Sequence, residues 1–181
     1  MRDGNPSDDY AAMKKWLLAN GACHDGRQWA IKECRDLAEV WDTAQPDWLV
    51  WVATRENVLL TDEQRKFARW CASRVLYLWN APDIVRQYLA TGDESLAAVA
   101  RVAARAAARV AAEVVAGAVA RVAARAAEWA ALELEWDALE VKWNAIGAAG
   151  AAEMAAEASG VREAEWAAQA KYLRTLRNPF K

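Results

Sequence analysis

Histidine occurs once in these 181 residues, proline four times and glycine eight times. One imidazole leaves little material for proton relays, and few helix breakers leave room for long helices. No run of about 18 uncharged apolar residues is present, so the sequence predicts no membrane span. The opening Met1-Arg-Asp-Gly-Asn-Pro lacks the apolar core of a secretory signal, and the expected location is cytoplasmic. Cysteines are sparse and odd in number: Cys23, Cys34 and Cys71 read as reduced, mostly buried thiols rather than disulfides. There is no phosphate-binding loop, dinucleotide fingerprint or serine-centred nucleophile elbow, and no alternating strand pattern. Cys23, His24, Cys34 and Cys71 could in principle make a tetrahedral zinc site, but their spacing matches no finger or ribbon. Nor do adjacent Cys23 and His24 form a nucleophile pair, since neighbouring side chains on a turn seldom converge and no orienting third group is identifiable. The reading is a chain without catalytic residues, metal or cofactor.

What the chain has instead is alanine and tryptophan. Between Ala97 and Ala131 there are 19 alanines in 35 residues, and Ala-Arg-Val-Ala-Ala-Arg-Ala-Ala occurs twice, at 100 to 107 and 120 to 127. Alanine has the best helix propensity, by up to about 0.7 kcal/mol per residue over ordinary alternatives. A length of 181 residues suits one compact domain, with a short-helix, Trp-rich part over 1–92 and an Ala-rich hairpin over 93–177.

Punctuation divides the first part into helices. Ser7 can cap a helix through Asn20, stopped by Gly21, and a second helix follows from about Gly26. Asp36 with Glu39, and Thr61 with Gln64, have capping-box spacing. Pro46 opens a helix to Arg55; Phe67, Trp70, Cys71, Arg74, Val75, Leu78 and Trp79 recur at helical spacing; Pro82 and Thr91-Gly92 bound a short helix. From Glu94 the helical pattern continues to Ile146, about 80 Å of helix at 1.5 Å per residue, with a kink expected at Gly117. The reversal is expected at Gly147-Ala-Ala-Gly150, with a return helix from Ala151 to Leu176 loosened at Ser159-Gly160. The fold class predicted is therefore all-α.

Trp129, Trp136 and Trp143 are spaced by seven, with Leu132, Leu139 and Ile146 three residues on, as in the seam of a coiled hairpin. Folding back at the glycine turn would set Trp143 near Met154, Trp136 near Val161 and Trp129 near Ala168. Charge is sorted along the same segment. Arg101, Arg105, Arg109, Arg121 and Arg125 face a single Glu113, after which nine acids between Glu128 and Glu165 meet only Lys142 and Arg162. The alignment gathers Glu133, Asp137, Glu140, Glu153 and Glu157 into an acidic tip that suits a basic protein. It gathers Arg121, Arg125, Lys171, Arg174 and Arg177 into a candidate anion-binding end.

Gly21-Ala22-Cys23, Trp29-Ala30, Trp41, Asp47-Trp48-Leu49-Val50-Trp51 and Cys71-Ala72-Ser73-Arg74-Val75-Leu76 precede an alanine-rich tract, which leads to Glu165-Trp166-Ala167-Ala168-Gln169 and Leu173-Arg174. This order resembles immunity proteins of polymorphic toxin systems in bacteria and phage. The resemblance implies an all-helical, non-catalytic protein that acts by binding another protein; with the acidic tip, the expected partner is a toxin or, in a close variant, a defence nuclease blocked by a phage protein, with a basic surface. Two other classes follow from the residues. Nucleic-acid binding could use the stripe of Arg101, Arg105 and Arg109, although that face lacks interleaved aromatics. A small-molecule sponge could use a pocket among Trp41, Trp48, Trp51, Trp70 and Trp79.

Overall fold

The computed structural model describes residues 6–55, 57–113, 126–128, 131, 147, 149–151, 154 and 162–181. The fold is all-α, and no strand occurs among the described residues. The helices are α1 (Pro6–Ala19), α2 (His24–Glu33), α3 (Leu37–Thr43), α4 (Pro46–Ala53), α5 (Thr61–Arg74), α6 (Asp83–Thr91), α7 (Glu94–Glu113) and α8 (Arg162–Leu173), with a 3-10 turn at Leu76–Leu78.

Local chemistry accounts for most of these ends. Gly21 adopts a left-handed φ of 72° after α1, a conformation that costs an L side chain about 1 kcal/mol. Its N–H and that of Ala22 donate to Leu18 and Leu17 carbonyls at 3.1 and 2.9 Å. The Cys23 thiol caps α2 by accepting from the Gly26 N–H at 3.3 Å, so this helix starts two residues before the expected Gly26. Asp36 accepts from the Glu39 N–H at 2.7 Å as expected, but Glu39 reaches one residue further out, to the Arg35 N–H at 2.8 Å. The second box is shifted: Glu63 accepts from the Leu60 N–H at 2.8 Å, while Gln64 turns inward and donates to the Leu59 carbonyl at 3.1 Å. Gly92, left-handed at φ 66°, ends α6, and Asp93 accepts from the Ser95 N–H at 2.9 Å to start α7. The helical run expected through Trp79 stops at Arg74, so Val75, Leu78 and Trp79 belong to the 3-10 turn and its flanks.

Contacts group the chain into two compact units, Met1–Val58 with Ala170–Lys181, and Leu59–Gln169. The first unit buries Met13, Leu17, Trp41, Leu49, Val52 and Leu173. Its C-terminal segment is bonded to α3 and the residue after it. Arg174 donates to the Ala44 carbonyl, and Asn178 donates to the Ala38 carbonyl and to Asp42, each at 2.9 Å. Lys181 pairs with Asp42 at 2.7 Å. The Phe180 ring meets Trp16 and Trp41 edge-on, at 5.9 and 6.4 Å between centroids.

In the second unit α6 packs on α5 and on α7. Phe67, Ala68, Cys71 and Ala72 of α5 are buried, as are Val85, Tyr88 and Leu89 of α6 and Ala97, Ala100 and Ala104 of α7. Arg105 donates to Glu128 at 2.7 Å. In one continuous helix, residues 23 apart would stand about 34 Å from each other, so the expected single helix from Glu94 to Ile146 is excluded. Ala131 lies in a turn, its N–H bonded to the Ala127 and Glu128 carbonyls. Gly147, Ala149, Gly150 and Ala151 are helical, which removes the expected reversal there. The physical reason is that an 80 Å projecting helix would leave its apolar positions in water, a cost that alanine propensity does not offset. The glycine tract, with alanine between, costs only about 1 kcal/mol per glycine as helix. Met154, which the seam would bury, is 53% exposed. Trp129, Trp136, Trp143, Leu132, Leu139, Ile146, Val161, Gly117 and Ser159-Gly160 lie outside the described residues.

Candidate functional site

The first unit contains a cavity of about 290 Å³ built from the end of α1 and from α2, α3 and α4. Leu17, Gly21 and Ala22 close one side, and Val40 and Val52 supply apolar floor. Cys23, the cap of α2, and Gly26, Trp29 and Ala30 on it fall at helical spacing and line the cavity. On α4 the lining residues are Asp47, Trp48, Trp51 and Val52. The three indoles are each only partly exposed, and Trp29 and Trp48 meet at 5.3 Å between centroids with planes 48° apart.

Neighbouring contacts hold these walls. A Cβ on Gly26 would be crowded by the Cys23 sulfur at 3.2 Å and would meet the Trp48 ring at an ordinary contact distance of 3.6 Å, so it is the cysteine cap that favours glycine here. Trp51 is braced edge-on by Trp16 at 6.0 Å and carries the Arg55 guanidinium at 4.8 Å from its ring centre. Arg55 also donates to the Trp51 carbonyl at 3.1 Å, and burial lowers its pKa. Arg27 donates to the Ala22 carbonyl at 3.2 Å, tying α2 to the turn after α1. Asp47, in the first turn of α4, is the charged residue of the lining.

Sequence reasoning named two of the three wall indoles, Trp48 and Trp51, and missed Trp29. The signal was available as the spacing of Cys23, Gly26 and Trp29, which puts all three on one helical stripe. Trp41 is fully buried and packs near Phe180 instead. Trp70 and Trp79 belong to the second unit, where Trp70 stacks on Phe67 at 6.5 Å and Trp79 is buried. A pocket of all five indoles is therefore corrected to one of Trp29, Trp48 and Trp51.

Other expected sites stand as follows. Glu133, Asp137, Glu140, Glu153 and Glu157 of the acidic tip lie outside the described residues, as do Arg121 and Arg125. Lys171, Arg174 and Arg177 are exposed, and Arg174 is bonded to a backbone carbonyl. In the arginine stripe, Arg105 is paired with Glu128, while the Arg109 side chain lies outside the described residues. Cys23 and His24 are exposed. Cys34 and Cys71 are buried, which raises both thiol pKa values; the Glu165 carboxylate pushes that of Cys71 further in the same direction. No group of three potential metal ligands occurs among the described residues.

Sequence reasoning did not single out one buried network in the second unit. Glu165 is buried and accepts two bonds from Arg74, at 3.1 and 3.2 Å, and a third from Gln169 at 3.4 Å. Gln169 also donates to the Ala149 carbonyl at 3.4 Å. Glu165 and Gln169 are four apart on α8, which was the readable sign. This network joins α5 to α8. No helix among the described residues is long and apolar enough to cross a membrane. No family model, curated protein or solved structure matches this chain.

Proposed function

We propose that this chain is a non-enzymatic binding protein whose ligand site is the Trp29–Trp48–Trp51 cavity. The observation that carries this reading is three partly exposed indoles lining about 290 Å³ of space with one carboxylate in an otherwise apolar lining. Tryptophan buries more apolar area than any other side chain, and leaving three of them partly uncovered around a gap forgoes contact that a filled core would make. Ligand sites have this composition, an apolar and aromatic wall with few polar groups. The volume equals that of about ten waters, which suits a small molecule of roughly ten to twelve non-hydrogen atoms.

The immunity-type reading, in which the chain neutralises a toxin or defence nuclease, shares the binding class and rests on the resemblance and on acids outside the described residues. It places recognition at a different surface, so the two readings are separable. Nuclear magnetic resonance titration of the full chain with 2-phenylethanol, an uncharged probe of suitable size, should shift the indole resonances of Trp29, Trp48 and Trp51. Filling the space by Ala30→Leu should abolish those shifts. Indole resonances that stay unmoved at millimolar probe, or that move equally in Ala30→Leu, would remove the cavity as the ligand site.

A further inference from the structure

We infer that the cavity selects an organic cation, a molecule with an apolar body that fits between the indoles and a protonated amine that ends at Asp47. This rests on the cavity reading above and adds the charge of the ligand. Two features of the lining point the same way. Its charged side chain is a carboxylate, and no lysine or arginine lines it. Its walls are tryptophan, the side chain whose π-face attracts cations best.

The cations nearby are already engaged. Arg27 donates to the Ala22 carbonyl, and Arg55 lies on the Trp51 ring while donating to the Trp51 carbonyl and the Thr54 hydroxyl. Neither guanidinium is part of the lining. Arg55 on Trp51 also illustrates, within this unit, that an indole face here holds a positive group at 4.8 Å. Asp47 has no ion-pair partner among the described residues, so its charge is open to a ligand rather than neutralised by the protein. A neutral ligand would leave that carboxylate beside apolar atoms without a counter-charge. An anion would meet it at close range, with walls whose faces are electron-rich.

The test uses three probes of one shape on the full chain: 2-phenylethylammonium, 2-phenylethanol and phenylacetate, titrated by calorimetry at pH 7 with indole resonances as site markers. The ammonium should bind about tenfold more tightly than the alcohol, the range that a partly desolvated cation–π contact supplies, and phenylacetate should bind most weakly. Asp47→Asn, which keeps the size and the helix-start preference of the residue, should bring the ammonium and the alcohol to within about threefold. Asp47→Glu should restore most of the preference. Equal binding of ammonium and alcohol, a preference for phenylacetate, or an ammonium preference that stays near tenfold in Asp47→Asn would overturn the cation assignment while leaving the cavity reading intact. Failure of all three probes to move the three indoles would overturn both.

Discussion

The first unit buries Trp41, Met13 and Leu49 and is bordered by further indoles, whereas the buried positions of α7 in the second are Ala97, Ala100 and Ala104. Rigid flat rings supply most contact area per residue but tile imperfectly, and in the first unit they leave a cavity of about 290 Å³. Alanine supplies little area per residue, and in the second unit the alanine face of α7 packs on α6, while rings return on α5, where Phe67 is buried and Trp70 stacks on it. In the second unit Arg74, Glu165 and Gln169 link α5 and α8 with a buried carboxylate, and the Arg74 guanidinium lies on the Trp70 ring at 5.4 Å. Rings in the first unit thus border a place for a ligand, whereas in the second a ring backs a fixed polar network. The same helical architecture carries both.

The largest expected effect is Trp41→Ala. Removing this fully buried ring should cost about 3 to 5 kcal/mol, read as a loss of urea midpoint with unchanged slope. A cost under about 1 kcal/mol would mean that rings do not carry the first unit.

Next comes Arg74→Ala, which strands the buried Glu165 carboxylate with Gln169 alone. Arg74 itself is 42% exposed, so the cost should fall near 2 to 3 kcal/mol, below the range for fully buried pairs. The paired change Arg74→Met with Glu165→Leu should recover most of it. A double-mutant cycle with no coupling would show that the network adds only position, not energy.

Ala104→Leu tests the complementary side of the comparison. Adding bulk where α7 is buried should destabilise by about 1 to 3 kcal/mol, measured by thermal or urea unfolding. A stabilised variant would show that the alanine interface is underfilled.

The smallest effect concerns acid. Asp42 has a carboxyl pKa below its ordinary value because Lys181 and Asn178 bond to it. A depressed folded pKa contributes stability above the unfolded value, near 3.9, and that contribution disappears as pH falls through the lower folded value. Resonances of Asn178 and Lys181 should therefore change as pH falls below about 4, and Asp42→Asn should remove that transition. Persistence of the transition in the variant would assign it elsewhere.

Helix positions in the first half were readable because their signals are local. Gly21 and Gly92 supply left-handed stops, Asp36 and Asp93 accept from nearby N–H groups, and Pro46 opens α4. The shifted box at Leu60 and Glu63 was less readable, since Glu63 and Gln64 each stand three residues past a possible N-cap, Leu60 or Thr61, and only burial of Gln64 decides between the two frames. Half of the cavity was visible as Trp48 and Trp51 three residues apart. Trp29 was not, because it reaches the site from another helix whose start is set by a cysteine cap.

By itself the amino-acid sequence determined helix: alanine propensity, capping groups and glycine stops act over a few residues and outvote any strand. It did not determine where the alanine-rich run turns back, because alanine is equally at home on either side of a reversal, and the Arg105–Glu128 contact shows that continuity of propensity is not continuity of a helix. It did not determine which tryptophans are core and which are wall. Their chemistry is identical, and only the arrangement of α1 to α4 buries Trp41 while leaving Trp29, Trp48 and Trp51 around open space. Burial is a property of neighbours far along the chain, so it was decided only when the helices packed.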